Sequence, residues 1–152
     1  FLKRDLIKTV VEARPDVYNH NVETVPRLSK EVRPQADYER SLEVLRLAKE
    51  LGAGVLKTKS GLMVGVGEEP HEVRQTMSDL REVGCDFLTI GQYLQPTPAH
   101  QRVSALIEPE QFQLYRSWAL RAGFSFVASG PYIRSSYNAH EALASSFSQG
   151  GF

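Results

Sequence analysis

The segment that decides the fold is residues 38–64, YERSLEVLRLAKELGAGVLKTKSGLMV. Asp37, directly before it, is a typical N-cap residue, and the predicted helix Tyr38–Leu51 ends at Gly52. The mostly apolar run Val55–Val64 is typical of a strand buried on both faces. Apolar residues occur at helical spacing in the first half of the segment, namely Leu42, Leu45 and Ala48.

The same order of helix, glycine and apolar run occurs twice more along the chain. Helices are predicted over Pro70–Val83 and Pro109–Ala122, and strands over Phe87–Ile90 and Phe124–Ala128. A fourth strand is predicted near Asp16–Tyr18. Alternating strands and helices favour an α/β fold with a parallel sheet and right-handed crossovers. Because a closed barrel takes about eight strands, we expect an open sheet or a sheet completed by residues upstream of this chain.

Composition limits the classes of function. The chain has 152 residues, of which 41% are hydrophobic, as is typical of one globular domain. Its 18 Lys and Arg balance its 18 Asp and Glu, so no basic field attracts nucleic acid. No apolar run approaches the roughly 20 residues that cross a bilayer. We therefore expect no nucleic-acid or membrane partner and a cytoplasmic location.

The cysteine content and the ends of the chain give further expectations. Cys85 is the single cysteine, so it cannot alone hold a zinc ion or an iron–sulfur cluster, and we interpret it as a core residue. The chain begins at Phe1, and the first methionine, Met63, lies inside a predicted strand, so we expect further residues upstream. Residues 1–143 are assigned to the α/β unit and residues 144–152, rich in Ser and Gly, to a flexible tail.

Polar or glycine-rich segments follow the predicted strands, at residues 18–24, 61–68, 91–96 and 129–137. Ligands of parallel α/β sheets bind beyond the C-terminal ends of the strands, so we expect the functional site at this edge. Structural roles remain open for several of these residues. Asn19 and Asn21 suit hydrogen bonds to turn backbone, and Gly65 and Gly67 suit a tight turn. His20 has no second ligand at metal spacing. The neighbouring basic residues are typical of a solvated helix face, namely Arg27, Lys30 and Arg33.

Taken together, five short sequence motifs resemble those of the lipoyl synthase family of radical S-adenosylmethionine enzymes. The resemblance follows the family's order from about residue 16 to residue 137. It is carried by NHNVETVPRL at 19–28, VRP at 32–34, TKSGLMVG at 58–65, TIGQYLQP at 89–96 and RSSY at 134–137. This resemblance implies that residues 1–143 are the C-terminal part of a radical SAM partial barrel.

The resemblance also implies the chemistry of the complete enzyme. In this family one 4Fe-4S cluster cleaves S-adenosyl-L-methionine to a 5′-deoxyadenosyl radical, which abstracts hydrogen from a protein-bound octanoyl chain. A second 4Fe-4S cluster donates the sulfur that makes the lipoyl cofactor. The cysteine ligands of both clusters lie upstream of this segment in the family. The implied partners are an octanoylated lipoyl carrier domain and the missing N-terminal half, and this chain alone is expected to be inactive. In a eukaryote the implied location is the mitochondrial matrix or plastid.

The resemblance assigns one candidate metal ligand. Ser136 resembles the serine that ligates the second cluster through oxygen, and Ser135 is the alternative if the register is shifted by one. A serine oxygen is a harder iron ligand than thiolate, so it suits a cluster that is dismantled for its sulfur. Arg134 is expected to supply positive charge near the anionic cluster.

Other motif residues are candidates for binding the cofactor. A glycine-and-acid motif that contacts adenosine in the family is resembled by Gly61, Gly65 and Glu68. Glycines there allow the backbone to approach a ligand closely. Contacts to the methionine or ribose part are expected from Asn19, Asn21 and Glu23. Contacts to adenine are expected from Gln92 and Tyr93.

Two other classes of function remain open. One is a non-catalytic half-barrel that binds a nucleoside. The other is a barrel enzyme that binds phosphate at Gly65 and Gly67 and performs no redox chemistry.

Overall fold

The computed structural model describes residues 3–136 and 139–148. The helices are α1 (Arg4–Glu12), α2 (Ser29–Val32), α3 (Tyr38–Leu51), α4 (Pro70–Glu82), α5 (Pro109–Ala122) and α6 (Ala139–Ser148). The strands are β1 (Val17–Asn19), β2 (Lys57–Val64), β3 (Phe87–Gln92) and β4 (Phe126–Gly130), and a 3₁₀ turn spans Pro26–Leu28. Within the described ranges, no helix combines the length and apolar character needed to cross a membrane.

The four strands form one parallel sheet in the order β1-β2-β3-β4. The predicted α/β fold with a partial barrel is therefore confirmed. Two strands begin later than predicted, because local hydrogen bonds hold the preceding residues. Val55 donates to Gly52 O (3.0 Å), which keeps residues 52–56 in a turn after α3. Phe124 donates to Ala119 O (3.3 Å), which keeps it with the end of α5.

Local signals set the ends of the helices. The Asp37 side chain accepts a hydrogen bond from Arg40 N (2.9 Å), so Asp37 is the N-cap of α3 as predicted. Gly84 and Gly123 have φ of 80° and 106° after α4 and α5, a conformation that glycine adopts without steric cost. The predicted bounds of α3 and α5 match the structure, and α4 ends one residue early, at Glu82.

The first helix was not predicted from the sequence. In α1, Ile7 is buried against Leu47 and Ala48 of α3. Helix α6 extends to Ser148, so residues 144–148 of the predicted flexible tail are helical. Residues 149–152 lie outside the described part of the chain, and the flexibility of the tail stays a prediction.

The sheet has two chemically different faces. Alternate residues of β2 and β3 pack against α3, α4 and α5 to form the main core, namely Leu62, Val64, Leu88 and Ile90. The opposite face, which we call the inner face, carries Lys59, Gly61, Phe87, Thr89 and Gly91 in the same strands. The apolar face holds the helices, so the inner face is left to build the site.

Leu80 provides a test of this core. It is fully buried in α4, so Leu80→Ala should lower the free energy of unfolding by about 2–5 kcal/mol. The control Leu114→Ala changes a leucine of α5 that is 42% exposed and should cost about 0.5 kcal/mol or less. Urea unfolding of both variants measures the difference, and equal losses would contradict the packing described.

Candidate functional site

A cavity of about 150 Å³ lies at the C-terminal edge of the sheet, on the inner face. It is bounded by the segment after β1, by β2 and β3, and by the loop after β4. Its lining residues are Asn21, Glu23, Gly61, Leu62, Met63, Thr89, Gly91, Gln92, Ile133, Arg134 and Ser135. The cavity therefore lies at the edge where the sequence predicts the functional site.

The structure brings together about half of the predicted site residues. Those that line the cavity are Asn21, Glu23, Gly61, Gln92 and Arg134, together with the alternative ligand Ser135. Those that do not line it are Asn19, Gly65, Glu68, Tyr93 and Ser136.

Asn21 and Glu23 present acceptor atoms to the cavity. Asn21 Nδ2 donates to Glu23 Oε1 (3.2 Å), and Asn21 Oδ1 is buried without a hydrogen-bond partner among the described residues. Glu23 has a φ of 68°, which is uncommon for a residue with a Cβ and tends to occur at functional sites. Its main chain is fixed to β2, because Glu23 N donates to Gly61 O (3.0 Å) and Met63 N donates to Glu23 O (2.8 Å). A buried acceptor without a partner favours a ligand that carries N–H or O–H groups.

Two strand glycines allow the loops to approach the sheet. A Cβ at Gly61 would lie 3.0 Å from Asn21 Oδ1, and a Cβ at Gly91 would lie 2.3 Å from the carbonyl oxygen of Ile133. Gly91 is therefore required where the loop after β4 crosses the inner face. We call this loop, residues 131–136, the serine loop.

Gly65 and Glu68 stabilise the loop beside the cavity. The Glu68 carboxylate accepts hydrogen bonds from Gly65 N (2.7 Å) and Val66 N (2.9 Å). Gly65 has a φ of 98°, and its carbonyl accepts from Ser104 N (2.7 Å). The tight turn expected at Gly65 is therefore present, and the Glu68 side chain stabilises it through these two hydrogen bonds.

Gln92 and Tyr93 hold the segment of residues 101–107 against the sheet. Gln92 Nε2 donates to the carbonyls of Tyr93 and Ala105 (both 3.0 Å), and Ile107 N donates to Gln92 Oε1 (2.8 Å). The buried Tyr93 hydroxyl donates to Gln101 O (2.7 Å). In this arrangement the polar atoms of Gln92 are engaged by the chain itself, although the side chain borders the cavity.

The serine loop covers one side of the cavity. Arg134 and Ser135 line the cavity, whereas Ser136 is exposed outside it. Tyr137, the last residue of the predicted motif, lies outside the described residues. The Lys59 ammonium on the inner face of β2 donates a hydrogen bond to the Ser135 carbonyl. Burial lowers the pKa of Lys59, because desolvation penalises the charged form.

Sequence reasoning missed the contacts of three cationic residues, namely Arg27, Arg33 and Lys59. Arg33 Nη1 donates to Asn21 O (2.9 Å), and Arg27 pairs with Glu72 (2.8 Å) and donates to Gly67 O (2.9 Å). Arg27 lowers the pKa of Glu72 to about 2, chiefly through their side-chain hydrogen bond. Arg27 is exposed, as expected of a solvated basic face, whereas Arg33 is partly buried beside the segment after β1. The sequence does contain a signal for Lys59, because this lysine lies within a strand that is predicted to be buried on both faces.

The remaining candidate ligands lie elsewhere. His20 lines a second cavity of about 460 Å³ near α1 and α3, where burial, and then Arg33, lowers its pKa. Cys85 is fully buried in the main core, as predicted, and burial raises its pKa to about 12. Across residues 3–136 and 139–148, no group of three or more His, Cys, Asp or Glu side chains is placed to hold a metal ion.

Residues 1–80 match the family model of the Radical SAM superfamily. The chain belongs to the radical SAM superfamily. It is 62% identical over 138 residues to a lipoyl synthase of Rubrobacter xylanophilus, covering 91% of this chain and 43% of that protein. It is 53% identical over 140 residues to a lipoyl synthase of Alkaliphilus metalliredigens, covering 92% of this chain and 48% of that protein. The resemblance found in the motifs is confirmed, and the chain spans less than half the length of either relative.

Solved structures with little sequence similarity share the fold of this radical SAM chain. The crystal structure of a dihydrodipicolinate synthase from Agrobacterium tumefaciens aligns with a TM-score of 0.54 at 13% identity. The alignment covers 82% of this chain and 36% of that protein. At this identity the likeness shows the fold alone.

Gly91 tests the position of the serine loop. Gly91→Ala places a Cβ against the Ile133 carbonyl, so the loop must move and the free energy of unfolding should fall by about 1–3 kcal/mol. The control Gly130→Ala changes the residue paired with Gly91 in the sheet, where the new Cβ would meet Ile133 Cγ1 at an ordinary 3.5 Å. Denaturant unfolding compares the two variants. A Gly91→Ala chain as stable as Gly130→Ala would show that the loop does not cross here.

Proposed function

We propose that this chain is the C-terminal half of a lipoyl synthase, which inserts sulfur into a protein-bound octanoyl chain to make the lipoyl cofactor. The observation that carries the proposal is the cavity formed by the strand-exit motifs, in a chain 62% identical to a lipoyl synthase. The complete enzyme is a radical SAM sulfurtransferase, and this half alone is inactive.

The residues around the cavity fit S-adenosyl-L-methionine. This cofactor carries an ammonium group and ribose hydroxyls, which are hydrogen-bond donors. Asn21 Oδ1 and the Glu23 carboxylate are acceptors at the cavity, and Asn21 Oδ1 has no other partner in the described chain. Gly61 leaves the β2 backbone accessible beside them. In the proposed enzyme, Asn21 and Glu23 orient the cofactor by accepting hydrogen bonds from its N–H and O–H groups.

The iron–sulfur clusters fit only with ligands from outside this chain. No suitable group of ligands lies within the described residues, and the thiol of Cys85 is buried in the core away from the cavity. Our proposal gives the chain one oxygen ligand, Ser136, with Ser135 as the alternative. When bound, the two 4Fe-4S clusters and S-adenosyl-L-methionine supply the radical chemistry and the sulfur.

The cavity also has an apolar side that suits an alkyl chain. Leu62, Met63 and Ile133 lie among its lining residues. The proposed partners are an octanoylated lipoyl carrier domain and the cysteine-bearing N-terminal half. The alternative of phosphate binding at Gly65 finds no support, because the Glu68 carboxylate already accepts from the main-chain N–H groups of Gly65 and Val66.

Asn21 tests cofactor binding. The test uses the joined enzyme, which is this chain combined with the part of the Rubrobacter xylanophilus lipoyl synthase that the chain does not cover. Asn21→Ala should weaken S-adenosyl-L-methionine binding by roughly tenfold or more, because hydrogen bonds to charged groups contribute about 1.5–3 kcal/mol. The control Asn19→Ala, an exposed residue outside the cavity, should leave the affinity unchanged. Anaerobic calorimetry measures both, and equal affinities would refute the role of Asn21.

Iron analysis tests the serine ligand. In the joined enzyme, Ser136→Ala should lose the iron of the second cluster, and Ser135→Ala should retain it. The opposite result would assign the ligand to Ser135, and full iron in both variants would refute a serine ligand in this loop.

This chain by itself should purify without colour. A brown, iron-bearing preparation of the chain alone would contradict the assignment of the cysteine ligands to the other half.

A further inference from the structure

Lys59 lies on the inner face of β2 and is only 4% exposed. Its ammonium donates to the main-chain carbonyl of Ser135, 76 positions later in the chain. No carboxylate lies within ion-pair distance of Lys59 in the described residues. An ammonium group has three donors, so two of them find no partner in the described chain.

The neighbouring lysines differ from Lys59 in this respect. Lys49 Nζ lies 2.6 Å from Asp86 Oδ2 and 3.0 Å from Leu56 O. Lys57 Nζ, two residues before Lys59 in the same strand, lies 3.9 Å from Asp86 Oδ1. Buried charges in folded proteins are paired or contact a ligand. Lys59 is as buried as a paired charge, but no carboxylate pairs with it among the described residues. This favours an anion supplied from outside the described chain.

The charges around the cavity indicate where that anion lies. The acceptors Asn21 and Glu23 occupy the side formed by the segment after β1. The cationic Arg134 lines the cavity on the side formed by the serine loop. Lys59 does not itself line the cavity, but its ammonium is hydrogen-bonded to the carbonyl of Ser135 in the same loop. An anionic ligand is therefore expected against the serine loop, and a ligand with donor groups against the opposite side.

We propose that Lys59 binds the anionic iron–sulfur cluster for which the serine loop supplies an oxygen ligand. This inference rests on the proposed function. Lys59 has two effects there: its hydrogen bond fixes the Ser135 carbonyl, and its charge offsets the negative charge of the cluster and its thiolates. Lys59 is thus a ligand-positioning residue that also sets the electrostatic environment of the cluster.

The charge of Lys59 should affect the midpoint potential of the second cluster, which side-chain packing alone would not do. Reduction adds one negative charge to a cluster, and a nearby cation stabilises the reduced form more than the oxidised form. Lys59 therefore raises the midpoint potential of the second cluster. Removing the charge should lower that potential, and a substitution that keeps the charge should preserve it.

The test compares three variants of the joined enzyme with the unsubstituted protein. Lys59→Met removes the charge and keeps an unbranched side chain, and Lys59→Arg keeps the charge. Lys57→Met removes a charge from the same strand, where the lysine lies near Asp86 rather than the serine loop. Cluster content is measured by iron analysis, and the midpoint potential of the second cluster by a redox titration followed by electron paramagnetic resonance.

We expect Lys59→Met to shift the midpoint potential to a more negative value or to lose the second cluster. Lys59→Arg and Lys57→Met should both resemble the unsubstituted enzyme. A Lys59→Met enzyme with both clusters and an unchanged potential would overturn the inference and leave the proposed function intact. Loss of the cluster in Lys59→Arg as well would indicate a role of shape rather than charge and would also overturn it. An unsubstituted enzyme without a second cluster would overturn the proposed function itself.

Discussion

The structure of the site depends on the main-chain bridge between Glu23 and β2. Two hydrogen bonds, from Glu23 N to Gly61 O and from Met63 N to Glu23 O, attach the segment after β1 to the second strand. Glu23 adopts a positive φ of 68° at this bridge. Because Gly61 has no side chain, Asn21 can lie directly against the strand. The bridge therefore holds the two acceptor side chains at the cavity.

The motif residues at the strand exits divide into two groups by what their side chains contact. The side chains of Glu68, Gln92 and Tyr93 form hydrogen bonds with the main chain of this protein. Glu68 stabilises the loop after β2, and Gln92 and Tyr93 hold the segment of residues 101–107. Asn21 and Glu23 keep acceptors at the cavity. A motif residue at a strand exit can thus build the wall of a site or face its ligand, and only the contacts distinguish the two roles.

Local patterns were sufficient to predict α3, α4 and α5 and the edge of the sheet that carries the site. The bounds of α3 and α5 follow from Asp37 and Gly123, which act within a few residues of the helix ends. The roles of single residues depend on contacts between distant parts of the chain. Lys59 meets a carbonyl 76 residues away, so its role could not be read from its neighbours in the sequence.

The central claim is that the cavity beside the Glu23 bridge receives S-adenosyl-L-methionine. Amide hydrogen exchange of the joined enzyme, measured with and without this cofactor, tests the claim most directly. Slower exchange is expected at residues 21–23 and 61–63, which form the bridge and the cavity wall. Unchanged exchange there, with new protection around His20 in the second cavity or at residues 101–107, would contradict the claim.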